Sequence, residues 1–122
     1  VTATVLLDSN ILIDAGKGLP QAFHELSRYR RHAISRINWI EVLSVRDAAQ
    51  AQVLSGLANS FEMIEVSIEI ATRTVDIRRT TRLKLADAMI YATALEHGLT
   101  LITRNTKDFN EQMPSVRIPY TV

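Results

Sequence analysis

Four carboxylates and one amide occupy places where a folded chain can gather them: Asp8 in "VLLDSNILID", Glu41 in "SRINWIEVL", Asp87 in "LKLADAMIYATALEHG", and Asn105 and Asp108 in "TRNTKDF". They offer only oxygen donors; the chain has no cysteine, and its three histidines, His24, His32 and His97, carry no signal beyond ordinary surface or cap positions. Hard oxygen ligands of this kind select Mg²⁺ or Mn²⁺ over zinc. Taken singly, each residue has a plainer role. Asp8 can cap a helix, Asp87 can favour its helix dipole, Glu41 can face solvent and Asp108 can stabilise a turn. Taken together, like charges packed at one place repel, and such a cluster makes physical sense around a cation.

Whether they meet depends on the elements that carry them. Val5 to Leu7 form a short apolar run that ends at Asp8, and Ile11, Leu12 and Ile13 continue as a helix stopped by Gly16 and Gly18. A second helical pattern starts after Pro20 and runs to about Arg31, followed by a brief strand "HAIS" at 32–35. Ser35 is placed to cap the helix that carries Glu41. A further helix is expected from about Asp47 to Ala58, a strand at 61–66, and a helix from Ile68 to about Thr81. Ala86 to His97 reads as a strong helix closed by Gly98, "LTLIT" (99–103) as a strand, and "VRIPY" (116–120) as a last edge strand.

Strands alternating with helices imply an α/β fold with a central parallel sheet of four to five short strands flanked by helices. In such sheets every strand-to-helix turn emerges at the carboxyl edge. Asp8 and Asn105 then follow two strands at that edge, and Asp108 comes three residues after Asn105. The helices bearing Glu41 and Asp87 begin there too.

With 122 residues, one domain spanning 1–122 is the expectation. A hydrophobic fraction of 47% and a charged fraction of 22% are those of an ordinary globular chain without disorder bias. The lack of cysteine excludes disulfides and thiolate metal sites and suits a reducing cytoplasm. No apolar run has the length of a membrane span, and no signal-peptide pattern opens the chain, which starts at Val1 rather than Met. A net charge of +1 decides nothing about nucleic acid, so only local basic clusters can argue for it.

The stretches "LLDSNILID", "SRINWIEVL" and "LKLADAMIYATALEHGLTLITRNTKDF" resemble, in order and spacing, the motifs of PIN-domain ribonucleases, above all the VapC-type toxins of bacterial toxin–antitoxin pairs. The likeness spans nearly the whole chain, and its last stretch is the most specific. It implies a single PIN-like domain and a Mg²⁺-dependent endoribonuclease, dimeric and silenced by a cognate antitoxin. The family's acidic roles fall on Asp8, Glu41 and Asp87, with Asn105 and Asp108 in the fourth, variable motif. Relatives often carry an acid where Asn105 stands, and a Pro where Ala86 stands. Asn105 therefore keeps open a second reading, a catalytically silent RNA-binding or regulatory module. A phosphoacceptor receiver domain is disfavoured, because paired acids at the first strand and a Lys at the last are both missing.

Hydrolysis of a phosphodiester needs an activated water and screening of phosphate charge, and carboxylate-held divalent ions supply both. On this reading Asp8 and Asp87 are the primary metal ligands, and Glu41 orients or deprotonates the water, directly or as a ligand of a second ion. Asn105 and Asp108 complete an outer position, and Ser9, Asn10 and Thr103 support the ligands. Crowding also predicts that Asp8→Asn stabilises the metal-free protein. For RNA phosphates the candidates are Arg28, Arg30 and Arg31, then Arg78, Arg79, Arg82 and Lys84, with Arg104 the best single residue. Trp39 is read as core or as a stacking platform.

Overall fold

The strands come from the most apolar short runs of the chain, and all pair in parallel. The structure is a computed structural model that describes residues 4–122. The reading of the N terminus as lacking a leader rests partly on residues outside that range. The elements, in chain order, are β1 (Thr4–Leu7), α1 (Ser9–Gly16), α2 (Pro20–Ser27), β2 (Arg31–Ser35), α3 (Arg36–Leu43), α4 (Ala48–Asn59), β3 (Glu62–Ile64), α5 (Ile68–Thr80), α6 (Leu85–Glu96), β4 (Thr100–Ile102) and β5 (Val116–Arg117). The five strands form one sheet in the order β3-β2-β1-β4-β5. In the centre Leu6 is in register with Ala33 on one side and Leu101 on the other.

Alternation along β1 divides the core in two. Leu6, Ala33 and Leu101 face the layer of α5 and α6, where they pack with Ile70, Ile90 and Phe109. Val5, Leu7, Ile34 and Ile102 face the opposite layer with Ile11, Leu12, Val42 and Leu54. A strand buried on both faces has no polar side to offer water, which is why β1 is apolar throughout its last three residues. Within the second layer α1 and α4 approach closely: a Cβ on Gly16 would stand 2.8 Å from Leu54 Cδ2. Gly98 adopts φ +63° after α6, the left-handed cap expected there.

Three boundaries differ from the sequence reading. The helix expected to reach Arg31 stops at Ser27, whose hydroxyl donates back to the His24 carbonyl, and Arg31 already pairs with Thr4 in the sheet. The strand read at 61–66 is only Glu62–Ile64, and the one read at 116–120 is Val116–Arg117. Both are edge strands paired on one side, where fewer ladder bonds extend the element. Among the described residues no helix is long and apolar enough to cross a membrane.

The chain leaves β1 toward β2 and β3, then returns through α5 and α6 to place β4 on the other flank of β1. The reversal opens a crevice at the carboxyl ends of β1 and β4, the position where such sheets bind ligands. Asp8 follows β1 directly, and Thr103 follows β4 directly.

Candidate metal centre

Asp8 is only 4% exposed although it carries a carboxylate. As N-cap of α1 it accepts the Ser9 backbone N–H on Oδ1 at 2.7 Å. Its other oxygen accepts the Thr103 hydroxyl at 2.7 Å and the Asn10 amide at 3.3 Å. Helix cap and site residue are therefore the same group. Burial nonetheless raises its pKa above the usual range, in spite of the bonds from Thr103, Ser9 and Asn10, and the charge of Glu41 adds to the rise.

Asp87 sits in the first turn of α6. Burial, then the charges of Asp8 and Asp108, push its carboxyl up to about 6. Asp108 is half-buried at the end of a turn built by Asn105. The Asn105 amide donates to Asp108 Oδ2 at 3.0 Å, and its carbonyl oxygen accepts the backbone N–H groups of Lys107 and Asp108. Glu41 is exposed on α3 and accepts the Ser9 hydroxyl at 2.5 Å. The four carboxylates thus share the carboxyl edge: Glu41 is coupled to Asp8, and Asp8 and Asp108 to Asp87. Asn105 joins them through Asp108.

One contributor had not been singled out in the sequence. Asn38 is fully buried. Its carbonyl oxygen accepts the Ser35 N–H at 3.0 Å and the Ser35 hydroxyl at 2.7 Å, closing a reciprocal cap on α3. Its amide then donates to Ser9 Oγ at 3.0 Å and, more weakly, to Asp8 Oδ1 at 3.5 Å. The spacing Ser35-x-x-Asn38 carried the signal, since a polar side chain at the third helical position can close such a cap.

Arg104 takes no free position at this edge. Its guanidinium forks onto Asp14 of α1 at 2.5 and 2.9 Å, and Tyr120 donates to the same carboxylate at 2.8 Å. Burial alone would raise the Asp14 pKa, but the bonds from Arg104 and Tyr120 hold it below the usual carboxylate range. Ion pairs also occupy Arg28, on Glu25, and Arg31, on Glu62. Trp39 is half-buried, with the Arg36 guanidinium 4.8 Å from its ring centre.

The donor set suits a hard divalent cation. Among the described residues no three acidic or histidine side chains converge into a ready-made cage. Mg²⁺ keeps several waters and takes one or two carboxylates together with substrate phosphate oxygens, a demand that Asp8 and Asp87 would meet. Burial is the first cause of the raised Asp87, and the further rise from the charges of Asp8 and Asp108 is what a cation among these carboxylates would relieve. A groove of about 600 Å³ along α5 and α6 lies elsewhere on the surface.

The sheet order, the acidic crevice and residues 5–112, which match the PIN domain family, lead to one assignment: the chain belongs to the PIN domain family. Its likeness to solved structures is to toxins of the VapC type. A chain of a toxin–antitoxin complex from Klebsiella pneumoniae superposes with TM-score 0.87 at 42% identity, covering 97% of this chain and 99% of that one. DNA-bound VapBC from Salmonella typhimurium gives 0.74 at 26% identity, with 96% of each chain covered. VapBC2 from Rickettsia felis, bound to a promoter DNA fragment, gives 0.78 at 21% identity over 93% and 96% of the two chains. No curated protein sequence matches.

Proposed function

We propose that this protein is a metal-dependent endoribonuclease that hydrolyses RNA phosphodiester bonds, and the toxin of a toxin–antitoxin pair. The observation that carries the reading is the placement of Asp8, Asp87 and Asp108 at the crevice between β1 and β4, where the charges of Asp8 and Asp108 add to the burial that raises Asp87. Family membership and the toxin–antitoxin complex at 42% identity support the class.

Asp8 and Asp87 are the residues we assign to hold Mg²⁺ or Mn²⁺, and Asp108 would add a further oxygen donor. When bound, the ion screens the phosphate and lowers the pKa of a water. Glu41, with Ser9 on only one of its two oxygens, would use the other to orient the attacking water and accept its proton. The water oxygen forms the new bond to phosphorus, the bond to the leaving ribose oxygen breaks, and that oxygen takes up a proton from solvent. Ser9, Asn10, Asn38 and Thr103 hold the acids in place. Asn105 builds the turn that presents Asp108, which is how a chain with an amide at this position still supplies a fourth carboxylate.

The partner protein would be a cognate antitoxin docking on apolar helical surface, for which Phe23 of α2, Ile40 of α3 and Val53 of α4 are exposed. A homodimer and a cytoplasmic setting complete the reading. A silent RNA-binding module is favoured by one feature, the amide at Asn105.

Cleavage of a labelled RNA by the purified protein tests the proposal. Cutting in Mg²⁺ or Mn²⁺, none in chelator and none by Asp87→Asn is the result expected. RNA binding without cleavage in either metal overturns it in favour of the silent module.

A further inference from the structure

A cavity of about 340 Å³ opens beside Asp108, lined by Thr81, Arg82, Leu83, Lys107, Asp108 and Met113. Several cations near the acidic edge are already engaged: Arg104 is tied to Asp14, Arg117 to Glu25 and Arg36 to Glu65. Lys84, the N-cap of α6, acts on Asp87. Arg78 donates to the Leu83 carbonyl at 2.9 Å and so braces the cavity wall without lining it. Arg82 and Lys107 make no ion pair among the described residues, and both are exposed at this cavity.

We propose that the cavity is a subsite for one unpaired nucleotide of a single-stranded RNA, next to the phosphate that is cut. The proposal rests on the ribonuclease reading for the identity of that phosphate, and on the cavity for the rest. Arg82 lies five residues before Asp87, and Lys107 immediately precedes Asp108, so both walls lead into the acidic crevice. The volume is at the low end of the roughly 300–1,000 Å³ usual for small-ligand sites, room for one nucleotide and not for a stack.

The walls are braced before any ligand arrives. Leu83 is 6% exposed, its N–H donates to Thr81 Oγ1, and that hydroxyl donates in turn to the Ile77 carbonyl. Opposite, the Phe109 N–H closes the Asn105 turn at 3.0 Å, and Met113 packs against the main core.

The chemistry separates the parts of a nucleotide. Leu83 and Met113 offer an apolar, polarisable surface to a base, and a guanidinium stacks on a base face. Lys107 supplies a point charge for a phosphate at the rim. Asp108 closes the inner end, where it repels any phosphate not accompanied by a cation. A base stacked and paired in a duplex cannot turn into such a cavity without being unstacked first.

The test joins a binding arm and a cleavage arm. With Ca²⁺ present to accompany the phosphate, anisotropy of a labelled single-stranded RNA is measured on the parent, Arg82→Gln, Lys107→Gln and the cavity-filling Met113→Trp, each checked for folding by circular dichroism. Arg82→Gln and Met113→Trp should bind about 5- to 20-fold more weakly, as loss of one base contact does, and Lys107→Gln should bind more weakly through loss of a phosphate contact. Lys107→Gln should also lower the slope of log affinity against log salt by about 0.7. The same sequence as a duplex should compete poorly. In Mg²⁺, an abasic residue walked along the RNA should raise KM, with kcat unchanged, at one position beside the cut. Met113→Trp should erase that difference.

Parent-like binding by all three variants, equal competition by duplex, no RNA binding at all, or an abasic scan without effect each overturns the subsite. If the parent binds RNA in a cavity-dependent way but never cleaves it, the subsite stands and the ribonuclease reading falls. If it cleaves while cavity variants and abasic positions change nothing, the reverse holds.

Discussion

Asn38 Nδ2 lies 3.0 Å from Ser9 Oγ, and this hydrogen bond ties the turn after β1 to the first turn of α3. Because the Asn38 carbonyl oxygen already accepts from Ser35, the amide cannot flip, and the Ser9 proton is left to point at Glu41. Asn38→Ala should destabilise the protein by about 1–3 kcal/mol, the cost of losing a cap and leaving buried donors unpaired. Asn38→Asp should cost more, since it sets a buried charge against Asp8. Denaturant melts give the order, and cleavage assays should show about a 10-fold loss for Asn38→Ala from misplacement of Glu41.

Asp87→Asn should abolish metal-dependent cleavage and stabilise the metal-free protein at neutral pH. The folded pKa is raised from 3.8 to about 6, so the folded state binds the proton more tightly than the unfolded chain. This contribution is full below pH 3.8 and is lost as pH rises through about 6. After discount for the solvent around a half-exposed group it is on the order of 1 kcal/mol. The difference in melting between parent and variant, in chelator from pH 4 to 8, should grow across that window. A flat difference would show that Asp87 is not crowded.

For Asp8→Asn the crowding argument alone predicts stabilisation, and the geometry reverses it. Ser9 and Asn38 donate to one oxygen, Thr103 and Asn10 to the other. Whichever way the new amide turns, its NH₂ meets donors. The Thr103 hydroxyl cannot turn to compensate, because it already accepts from Asn10 and the Asn105 N–H. Asp8→Asn should therefore destabilise the metal-free protein by about 1–3 kcal/mol, the penalty of unsatisfied buried groups. Chelator melts that show stabilisation would mean charge relief dominates after all.

Asn105→Asp should separate the two states of the site. Its carbonyl position still accepts from Lys107 and Asp108 N–H, but a carboxylate replaces the donor that now contacts Asp108 Oδ2. In chelator the variant should lose about 0.5–1.5 kcal/mol, the net worth of one hydrogen bond. In saturating Mg²⁺ it should gain more than the parent does. Melts in both conditions check the pair, and equal metal shifts would place Asn105 outside the cation's reach.

Arg104→Met should weaken the fold without touching the acidic cluster. It leaves Asp14, 5% exposed, with Tyr120 as its remaining partner. The Asp14 pKa is held low in the parent, so its stabilisation is present above pH 3.8 and disappears as pH falls through the lower folded value. A loss of about 2 kcal/mol at pH 7, shrinking toward pH 3, is expected for a broken pair that is partly exposed on the Arg side. Urea melts at the two pH values measure it.

By itself the sequence determined the elements and the edge on which the acids lie. Periodicity, the caps at Asp8 and Ser35, and Gly98 act within a few residues, so they are written locally. A parallel sheet then delivers Asp8 and Asn105 to one side whatever the strand order. What only the tertiary structure decided are the partnerships across distance. The crevice between β1 and β4 exists because α5 and α6 carry the chain back past β1. Arg104, promising for RNA in sequence, is claimed by Asp14, 90 positions away, and Thr103 reaches Asp8 across 95. Asn38 reaches Ser9 across 29. Such bonds depend on which turns become neighbours, and a side chain's type does not reveal which of its possible partners folding will bring to it.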